Sequence, residues 1–239
     1  MALPLLPPAF RLVAVDREVD AFERARKLAP GGLEDGTVYW TDRADRLRLA
    51  VALEPEAPED TTLQMVYVLA AAAGDALGGL LPPGLPLTFG WPGGILLDGA
   101  RLGQVRAAVA ATAGPEAVPA WLVLGLDIAV GRYPGEPGEV PDRTTLADAG
   151  APEITVVALA ESVGRHLLGW TYRWQEEGLA PVRAAWNARC HDRWREGGVT
   201  LDGRHAAGKV SGLDMLGGFR IGAETLPLGA ALAELGRLA

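Results

Sequence analysis

The sequence predicts an α+β protein, in which a mixed β-sheet with helices on one side is followed by a small β-barrel. Short segments with alternating apolar residues indicate strands, and longer segments with three- and four-residue apolar steps indicate helices. After residue 197 the composition changes to short strand-like segments punctuated by glycine. The 239 residues lie between one large domain and two small ones. We therefore expect a first domain over 1–196 and a small second domain over 197–239.

The two main helices and the central strands have the clearest patterns. Ile154, Val157 and Ala160 begin an apolar stripe that continues to Trp174, and residues 121–130 are so apolar that both faces of that strand should be covered. The Ala-rich helix that Asp60 can cap is apolar on most sides and should be buried. The predicted elements are a helix over 16–28, strands over 37–40 and 47–53, a helix from 60 to about 80, strands over 87–91, 95–97, 102–110 and 121–130, a loop over 131–150, helices over 152–174 and 180–194, and short strands from 197.

Composition and charge exclude several classes of function. The formal net charge of -8 argues against binding to the nucleic-acid backbone, which requires clustered positive charge. The longest uncharged stretch, residues 76–97, contains four prolines, and a membrane-spanning helix would not tolerate them. One cysteine, Cys190, cannot form an internal disulfide, so we expect a reducing, cytoplasmic location. Only Lys27 and Lys209 among the 22 basic residues are lysines, which leaves 20 arginines.

The common nucleophile and metal patterns are absent. Neither serine lies in a Gly-x-Ser-x-Gly motif. Ser162 and His166 are four residues apart on a helix, but no acid or oxyanion donor accompanies them, so we interpret them as structural. Cys190 and His191 are adjacent and point in different directions on a helix, which favours a structural interpretation as well. The three histidines lack the pairing of a helical metal site, so no metal is implied.

Residues 89–105 form the most informative segment. They read Phe-Gly-Trp-Pro-Gly-Gly-Ile-Leu-Leu-Asp-Gly-Ala-Arg-Leu-Gly-Gln-Val. Gly93, Gly94 and Gly103 would let a ligand or another strand approach the main chain, and Arg101 supplies a positive charge. By itself the pattern is equally typical of a tight hairpin and of a binding site.

This segment resembles the catalytic core of the biotin and lipoate protein ligase family. The biotin branch of that family has Lys-Trp-Pro-Asn-Asp-Ile, then a turn, then Lys-Leu-Ala-Gly. Residues 121–130 resemble its later strand, which ends in Gly-Ile-Gly-Ile-Asn-Val, and the glycine-rich tail resembles its small SH3-like barrel. The similarity covers nearly all of the chain. It implies a catalytic-type domain related to class II aminoacyl-tRNA synthetases.

The resemblance also implies a set of site residues and partners. In the ligases, a carboxylate attacks the α-phosphate of ATP, and the acyl group then passes to a lysine of a carrier protein. If activity is retained, the implied substrates are ATP and biotin or a related carboxylate. Arg101 stands at the position of the lysine in Lys-Leu-Ala-Gly and is the candidate catalytic residue. The candidate ligand-binding residues are Trp91, Pro92, Gly93, Gly94, Gly103, Gln104, Gly125, Asp127 and Arg43.

The departures from the family pattern concern the chemistry itself. The family's glycine- and arginine-rich loop closes over the adenylate, whereas residues 41–46 are a short turn without glycine. Gly90 replaces the motif lysine, Gly93 and Gly94 replace Asn-Asp, and Ala129 replaces the late asparagine. A compositional bias toward arginine explains Arg101, because arginine also binds phosphate. The same bias does not explain the glycines and the alanine at the other positions.

Three hypotheses follow. The first is a family member that keeps a cleft for a carboxylate or nucleotide but has lost or altered its acyl-adenylate ligase activity. The second is an active ligase or acyltransferase with a changed carboxylic acid, in which Arg101 binds the phosphate or carboxylate. The third is a protein-binding scaffold, which requires the cleft to be filled by side chains. Arg43 and Arg46 could meet an anion, but we interpret them as part of a solvated turn.

Overall fold

A computed structural model describes residues 3–114, 116–133 and 140–234 of the chain. Its first part is a seven-stranded mixed sheet with the strand order β1-β2-β3-β7-β6-β5-β4. Only β1 and β2 are parallel; every other neighbouring pair in this sheet is antiparallel. The strands are β1 Arg11–Val15, β2 Thr37–Thr41, β3 Arg46–Leu53, β4 Leu87–Gly90, β5 Gly94–Leu97, β6 Ala100–Val109 and β7 Leu122–Ala129. The α+β class and the mixed sheet are therefore confirmed.

The larger apolar core lies between one face of this sheet and three helices. The helices of the whole chain are α1 Ala21–Leu28, α2 Glu59–Leu63, α3 Met65–Leu80, α4 Val156–Glu177, α5 Leu179–Ala188 and α6 Leu228–Glu234. Helix α3 is buried almost all round, as its composition predicts, and packs with α4 and α5 over the sheet. The segment Glu59–Leu80 is long and apolar enough to cross a membrane, but 72% of it is buried inside the protein. It serves as the central helix of the core.

Helix α1 lies on the opposite face of the sheet, so the prediction of helices on one side is wrong for this helix. The reason is a second apolar patch, in which Phe22 and Ala25 pack on Ala50, Ala108 and Val123. The helix also begins later than predicted. The Asp20 side chain caps its N-terminus by accepting hydrogen bonds from two backbone amides, which ends the preceding turn and starts the helix.

The other differences from the sequence predictions lie at helix ends and in the tail. Thr155 caps α4, which therefore starts after the predicted residue 152. Helix α5 ends at Ala188, not at 194, because the next residues run alongside β4, where the amide of Phe89 donates to the carbonyl of Arg189. Near the end of the described residues the chain is helical, in α6. Part of the predicted loop over 131–150, namely 134–139, lies outside the described residues.

The C-terminal part contains a four-stranded antiparallel sheet with the order β11-β10-β9-β8. Its strands are β8 Glu196–Leu201, β9 Arg204–Leu213, β10 Phe219–Ile221 and β11 Glu224–Leu226. Within the described residues this sheet is open, with β8 and β11 as its edges, so the closed barrel expected from the sequence is not formed there. The short β10 and β11 strands pair over too few residues to extend around to β8.

The small sheet is attached to the first part by specific contacts. Asn187 exchanges two hydrogen bonds with the backbone of Leu213. The Tyr67 hydroxyl donates to the carbonyl of Gly217 at 2.8 Å, and the Trp91 ring stacks on Phe219 with 4.8 Å between ring centroids. These contacts give a sheet of this size the apolar partner that it needs, since a small sheet has little core of its own.

Candidate functional site: an arginine-lined sheet face

Charged side chains follow one row across the main sheet, on the face that α1 partly covers. In the strand register, Arg48 of β3 stands opposite Asp127 of β7, Asp127 stands opposite Gln104 of β6, and Gln104 stands opposite Gly94 of β5. Residues directly opposite each other in a sheet share a face and lie close together. The row therefore places an arginine, a carboxylate and an amide side by side.

Asp127 is held by two arginines of the neighbouring strand. Its side chain is buried, and it accepts hydrogen bonds from Arg46 Nε at one oxygen and from Arg48 Nε, at 3.3 Å, at the other. A buried carboxylate needs such partners, because desolvation strongly disfavours an unpaired charge. Both arginines use only Nε in this contact. Their Nη groups make no hydrogen bond within the described residues.

Asp20 and Arg106 form a second ion pair on the same face. Arg106 Nη2 lies 2.8 and 2.9 Å from the two carboxylate oxygens of Asp20, and the backbone amides of Phe22 and Glu23 also donate to Asp20. Burial alone would raise the pKa of Asp20, but the charge of Arg106 and these hydrogen bonds hold it below its ordinary value. The Arg106 guanidinium also lies over the Phe22 ring, 4.5 Å from its centroid.

We call the residues of this surface the arginine face. It comprises Arg46, Arg48, Arg101, Arg106, Asp20, Gln104 and Asp127. In the register between β5 and β6, Arg101 pairs with Leu96. Leu96 lies two residues after Gly94 on β5, so both residues share one face of the sheet. Arg101 therefore belongs to this face as well. The set contains four arginines and two carboxylates, and a third carboxylate, that of Glu23, lies 3.9 Å from Arg106. Arginines therefore outnumber the neighbouring carboxylates by one, which favours an anion. The side chains of Arg101 and Gln104 make no hydrogen bond within the described part of the chain.

The glycines singled out by the sequence lie where the chain packs against itself. A Cβ at Gly93 would come within 2.6 Å of the Val105 carbonyl oxygen, and one at Gly125 would come within 2.6 Å of the Phe22 ring. Gly103 lies against the backbone of Asp127 and Ile128, and Gly94 against the backbone of Gly90. Of the two alternatives for this segment, a close approach of the protein's own backbone accounts for Gly93, Gly94 and Gly103. Their role in ligand binding stays a prediction.

Trp91 and Pro92 do not join the arginine face. Pro92 is buried, after a cis peptide bond. Trp91 packs toward α3 and the C-terminal sheet, where its Nε1 donates to the Tyr67 hydroxyl at 3.0 Å. Burial raises the pKa of Tyr67 well above its ordinary value, so that hydroxyl stays protonated and donates onward to Gly217. In this structure Trp91 therefore links the turn before β5 to the C-terminal part.

Arg43 is paired within its own turn. Its Nε and Nη2 donate to the two oxygens of Asp45 at 2.9 and 2.6 Å, and this contact lowers the pKa of Asp45. The turn borders an open cleft of about 580 Å³ that is also lined by Asp16 and Arg17. Arg46, at the end of the same turn, lies instead on the arginine face.

The alternative catalytic groupings are not assembled. Ser162 is buried on α4 whereas His166 is exposed. His191 shares a hydrogen bond with Thr88, 3.0 Å between Oγ1 and Nδ1, and burial raises the pKa of the Cys190 thiol, which opposes thiolate formation. Among the described residues, no group of His, Cys, Asp and Glu could hold a metal ion.

Sequence reasoning did not select Asp20, Arg48 or Arg106. A usable signal was present, because Arg46 and Arg48 alternate with Leu47 and Leu49 along one strand. Side chains alternate between the two faces of a sheet, so an arginine at every second position indicates a charged face. Asp20 could be found only through the structure, since it reaches the face from the start of a helix.

The family assignment rests on a match over most of the chain. The model of the biotin/lipoate A/B protein ligase family matches residues 6–188. The chain therefore belongs to this family. Its placement agrees with the resemblance carried by the motifs around Trp91, Arg101 and Gly125.

Relatives of this family member include proteins of known structure and a curated ligase. A biotin protein ligase-like protein of unknown function from Silicibacter sp. TM1040 is 32% identical, with a TM-score of 0.84 over 96% of this chain and 98% of that one. The biotin protein ligase of Aquifex aeolicus, in complex with biotin and ATP, shares the fold at 18% identity, with a TM-score of 0.74 over 92% and 97% of the two chains. The biotin–[acetyl-CoA-carboxylase] ligase of Paracoccus denitrificans is 28% identical over 155 residues, which are 63% of this chain. The match spans 62% of the length of that ligase.

The family motifs meet on the arginine face. Gly94, Arg101, Gln104 and Asp127 come from three separate motif segments and lie on one face of adjacent strands. Gln104 stands at the last position of Lys-Leu-Ala-Gly, and Asp127 stands at the second glycine of Gly-Ile-Gly-Ile-Asn-Val. Two glycines of the family pattern are thus replaced by polar side chains that face each other across β6 and β7.

Proposed function

We propose that this family member binds a small carboxylate on the arginine face and does not carry out ATP-dependent activation of biotin, lipoate or octanoate. The observation that carries the proposal is the polar lining of that face. Gln104 and Asp127 occupy the two motif glycine positions, and Arg46 and Arg48 of β3 donate hydrogen bonds to Asp127. An anion gains charge-assisted hydrogen bonds there. A fused ring or an acyl chain would instead desolvate charged groups without repaying the cost.

The short turn between β2 and β3 supports the loss of adenylating activity. Strand β2 ends at Thr41 and β3 begins at Arg46, so only a few residues stand where the family has its glycine- and arginine-rich loop. A loop of that kind excludes water from a reactive adenylate. Gly90 and Ala129 also lack the side chains that would position an ATP phosphate, and losing one preorganised donor already costs about 10²–10³ in rate.

The test compares activation with binding in the same protein. We expect no pyrophosphate release above background from ATP with biotin, lipoate or octanoate, whereas the Paracoccus denitrificans biotin ligase serves as the positive control with biotin. We expect succinate or malate to raise the melting temperature, with a stabilisation that grows with the logarithm of the ligand's excess over its dissociation constant. Pyrophosphate release at an ordinary enzyme rate would overturn the proposal. Absence of both activation and anion binding would favour the scaffold hypothesis.

A second candidate function is favoured by the state of Arg101. This residue is exposed, and its guanidinium makes no hydrogen bond within the described residues. It could bind the phosphate or carboxylate of an activated acid in a ligase or acyltransferase with a changed substrate, and a carrier-protein lysine would then accept the acyl group. An Arg101→Ala protein should bind such a ligand more weakly. An unchanged affinity would contradict this assignment.

Two further features belong to the same proposal. We propose that the small C-terminal sheet corresponds to the SH3-like domain that the resemblance implies, and that the first domain ends near residue 196. We also propose a reducing, cytoplasmic compartment, since the single cysteine is half-buried and its thiol pKa is raised.

A further inference from the structure

We infer that Asp127 competes with the ligand for Arg46 and Arg48 from within the sheet face, so that its charge limits the affinity of the arginine face for a carboxylate. The inference rests on the proposed function, because it concerns the same face. It adds the residue that limits affinity and the chemical class of the ligand. The two carboxylates of the arginine face, Asp20 and Asp127, are held by different sets of groups.

Asp20 is fixed in place by several independent groups. Its oxygens accept hydrogen bonds from two backbone amides at the start of α1, in addition to Arg106. Moving this carboxylate would uncap the helix and leave Arg106 without its partner. An incoming anion therefore cannot readily exchange with Asp20, and Arg106 is not available for a ligand.

Asp127 is held by arginine alone. Within the described residues, its carboxylate accepts hydrogen bonds only from Arg46 Nε and Arg48 Nε, and the contact with Arg48 is long, at 3.3 Å. The side chains of Arg46 and Arg48 are 38% and 26% exposed, whereas that of Asp127 is 6% exposed. The two arginines are thus partly open to solvent, whereas Asp127 is not. A solvent-borne carboxylate can reach the same two cations that Asp127 uses.

The charge balance explains why affinity is limited. Arg46 and Arg48 share the Asp127 carboxylate, and Arg48 Nε also lies 4.0 Å from a carboxylate oxygen of Asp20, so both cations are already partly neutralised. The ligand must also approach close to the Asp127 charge, and like charges a few ångströms apart repel each other strongly near a protein surface. Asp127 therefore sets the affinity for an anion on this face.

Gln104 narrows the class of ligand. It stands directly opposite Asp127, and its side-chain amide makes no hydrogen bond within the described residues. An amide offers donors and an acceptor, so the ligand that fits best carries a hydroxyl, amino or second carboxylate group beside its carboxylate. A hydroxylated dicarboxylate such as malate fits this description, and a monocarboxylate with an apolar chain does not.

The experiment is the variant Asp127→Asn, which removes the charge and keeps the shape. Binding of malate, succinate, acetate and octanoate is measured by calorimetry and by ligand-induced shifts of the melting temperature. We expect malate to bind the variant at least about tenfold more tightly than the wild type, with octanoate remaining weakest in both. Adding Arg46→Ala to Asp127→Asn should abolish the gain.

The matched control is Glu177→Gln. Glu177 accepts a hydrogen bond from Arg173 Nε at 3.0 Å on the exposed face of α4, so this variant makes the same charge change at the same kind of pair outside the arginine face. We expect it to leave malate affinity unchanged. An equal gain in the control would show that net charge alone is responsible, and would overturn the inference.

The remaining outcomes distinguish failure of the inference from failure of the proposed function. If the wild type binds malate and Asp127→Asn binds it no more tightly, the inference fails while the proposed function stands. If neither protein binds any of the four acids, both fail. Asp127→Ser is the second variant, in case the asparagine does not fold. Failure of both variants to fold would overturn the inference, because the charge of Asp127 would then be required for folding and could not act mainly as a competitor of the ligand.

Discussion

The two faces of the main sheet differ in the polarity of their side chains, and β7 shows the difference most directly. Leu124, Leu126 and Ile128 of this strand point into the large core against the helices. Gly125 and Asp127, which alternate with them, lie on the opposite face beneath Phe22 and between Arg48 and Gln104. One face is therefore buried in the apolar core, whereas the other is only partly covered by α1 and carries charged side chains. The contrast shows that a single strand can contribute to the apolar core and to a charged surface at the same time.

The largest effect is expected on the apolar face. Leu126→Ala removes a fully buried side chain of β7 and should lower the free energy of unfolding by about 3 kcal/mol, from lost burial and the cavity that remains. Urea denaturation followed by tryptophan fluorescence measures this loss. Asp127→Asn, one residue away on the other face, should cost less. If Asp127→Asn were less stable than Leu126→Ala, the charge of Asp127 would contribute more to the free energy of unfolding than the buried Leu126 side chain does.

A smaller effect, dependent on pH, is expected where α1 meets the charged face. The native pKa of Asp20 lies below the ordinary 3.8, so its ionised form stabilises the fold above pH 4, and this contribution is lost as the pH falls through the native pKa. Asp20→Asn keeps a good helix cap but removes the charge that pairs with Arg106. It should be less stable than the wild type by about 1–2 kcal/mol at pH 7.

The comparison of these two proteins across pH carries the test of Asp20. The stability difference between wild type and Asp20→Asn should shrink as the pH is lowered below 3.8, and it can be followed by urea denaturation at fixed pH values. A difference that stays constant down to pH 2 would mean that the Asp20 carboxylate does not titrate with folding. The contact between Asp20 and Arg106 would then stabilise the fold through packing and not through charge.

The smallest effect is expected at an exposed ion pair outside both faces. Arg173 and Glu177 are each about half exposed and lie four residues apart on α4. Glu177→Gln should change the free energy of unfolding by less than about 0.5 kcal/mol, and added salt should reduce even that. A larger loss would show that surface charge, and not only the charged sheet face, supports this fold.

The sequence predicted the order and type of most elements up to residue 196, because their patterns are local. The alternation over residues 47–53 and the stripe beginning at Ile154 correspond to β3 and α4. The errors lie where non-local contacts decide. Helix α5 ends early, in a turn whose backbone bonds to Phe89 of β4, and α1 lies on the opposite face because a second apolar patch exists there.

The candidate site was predictable only in part. Arg101, Gln104 and Asp127 came from motif resemblance, and the strand register places them on one face. Trp91 belongs to the same motif but turns toward the C-terminal sheet, where an aromatic partner is available. No spacing in the sequence indicates which side of the turn the ring takes, because Phe219 is remote in the chain.

The sequence by itself determined the family and the replacement of the motif lysines by Gly90 and Arg101, since these depend only on which residues are present and in what order. The tertiary structure alone decided that two arginines of β3 hold an aspartate of β7, and that the cap of α1, Asp20, pairs with Arg106 of β6. Alternation along a strand determines which residues share a face. Which strands become neighbours, and in which register, depends on packing between segments remote in the chain.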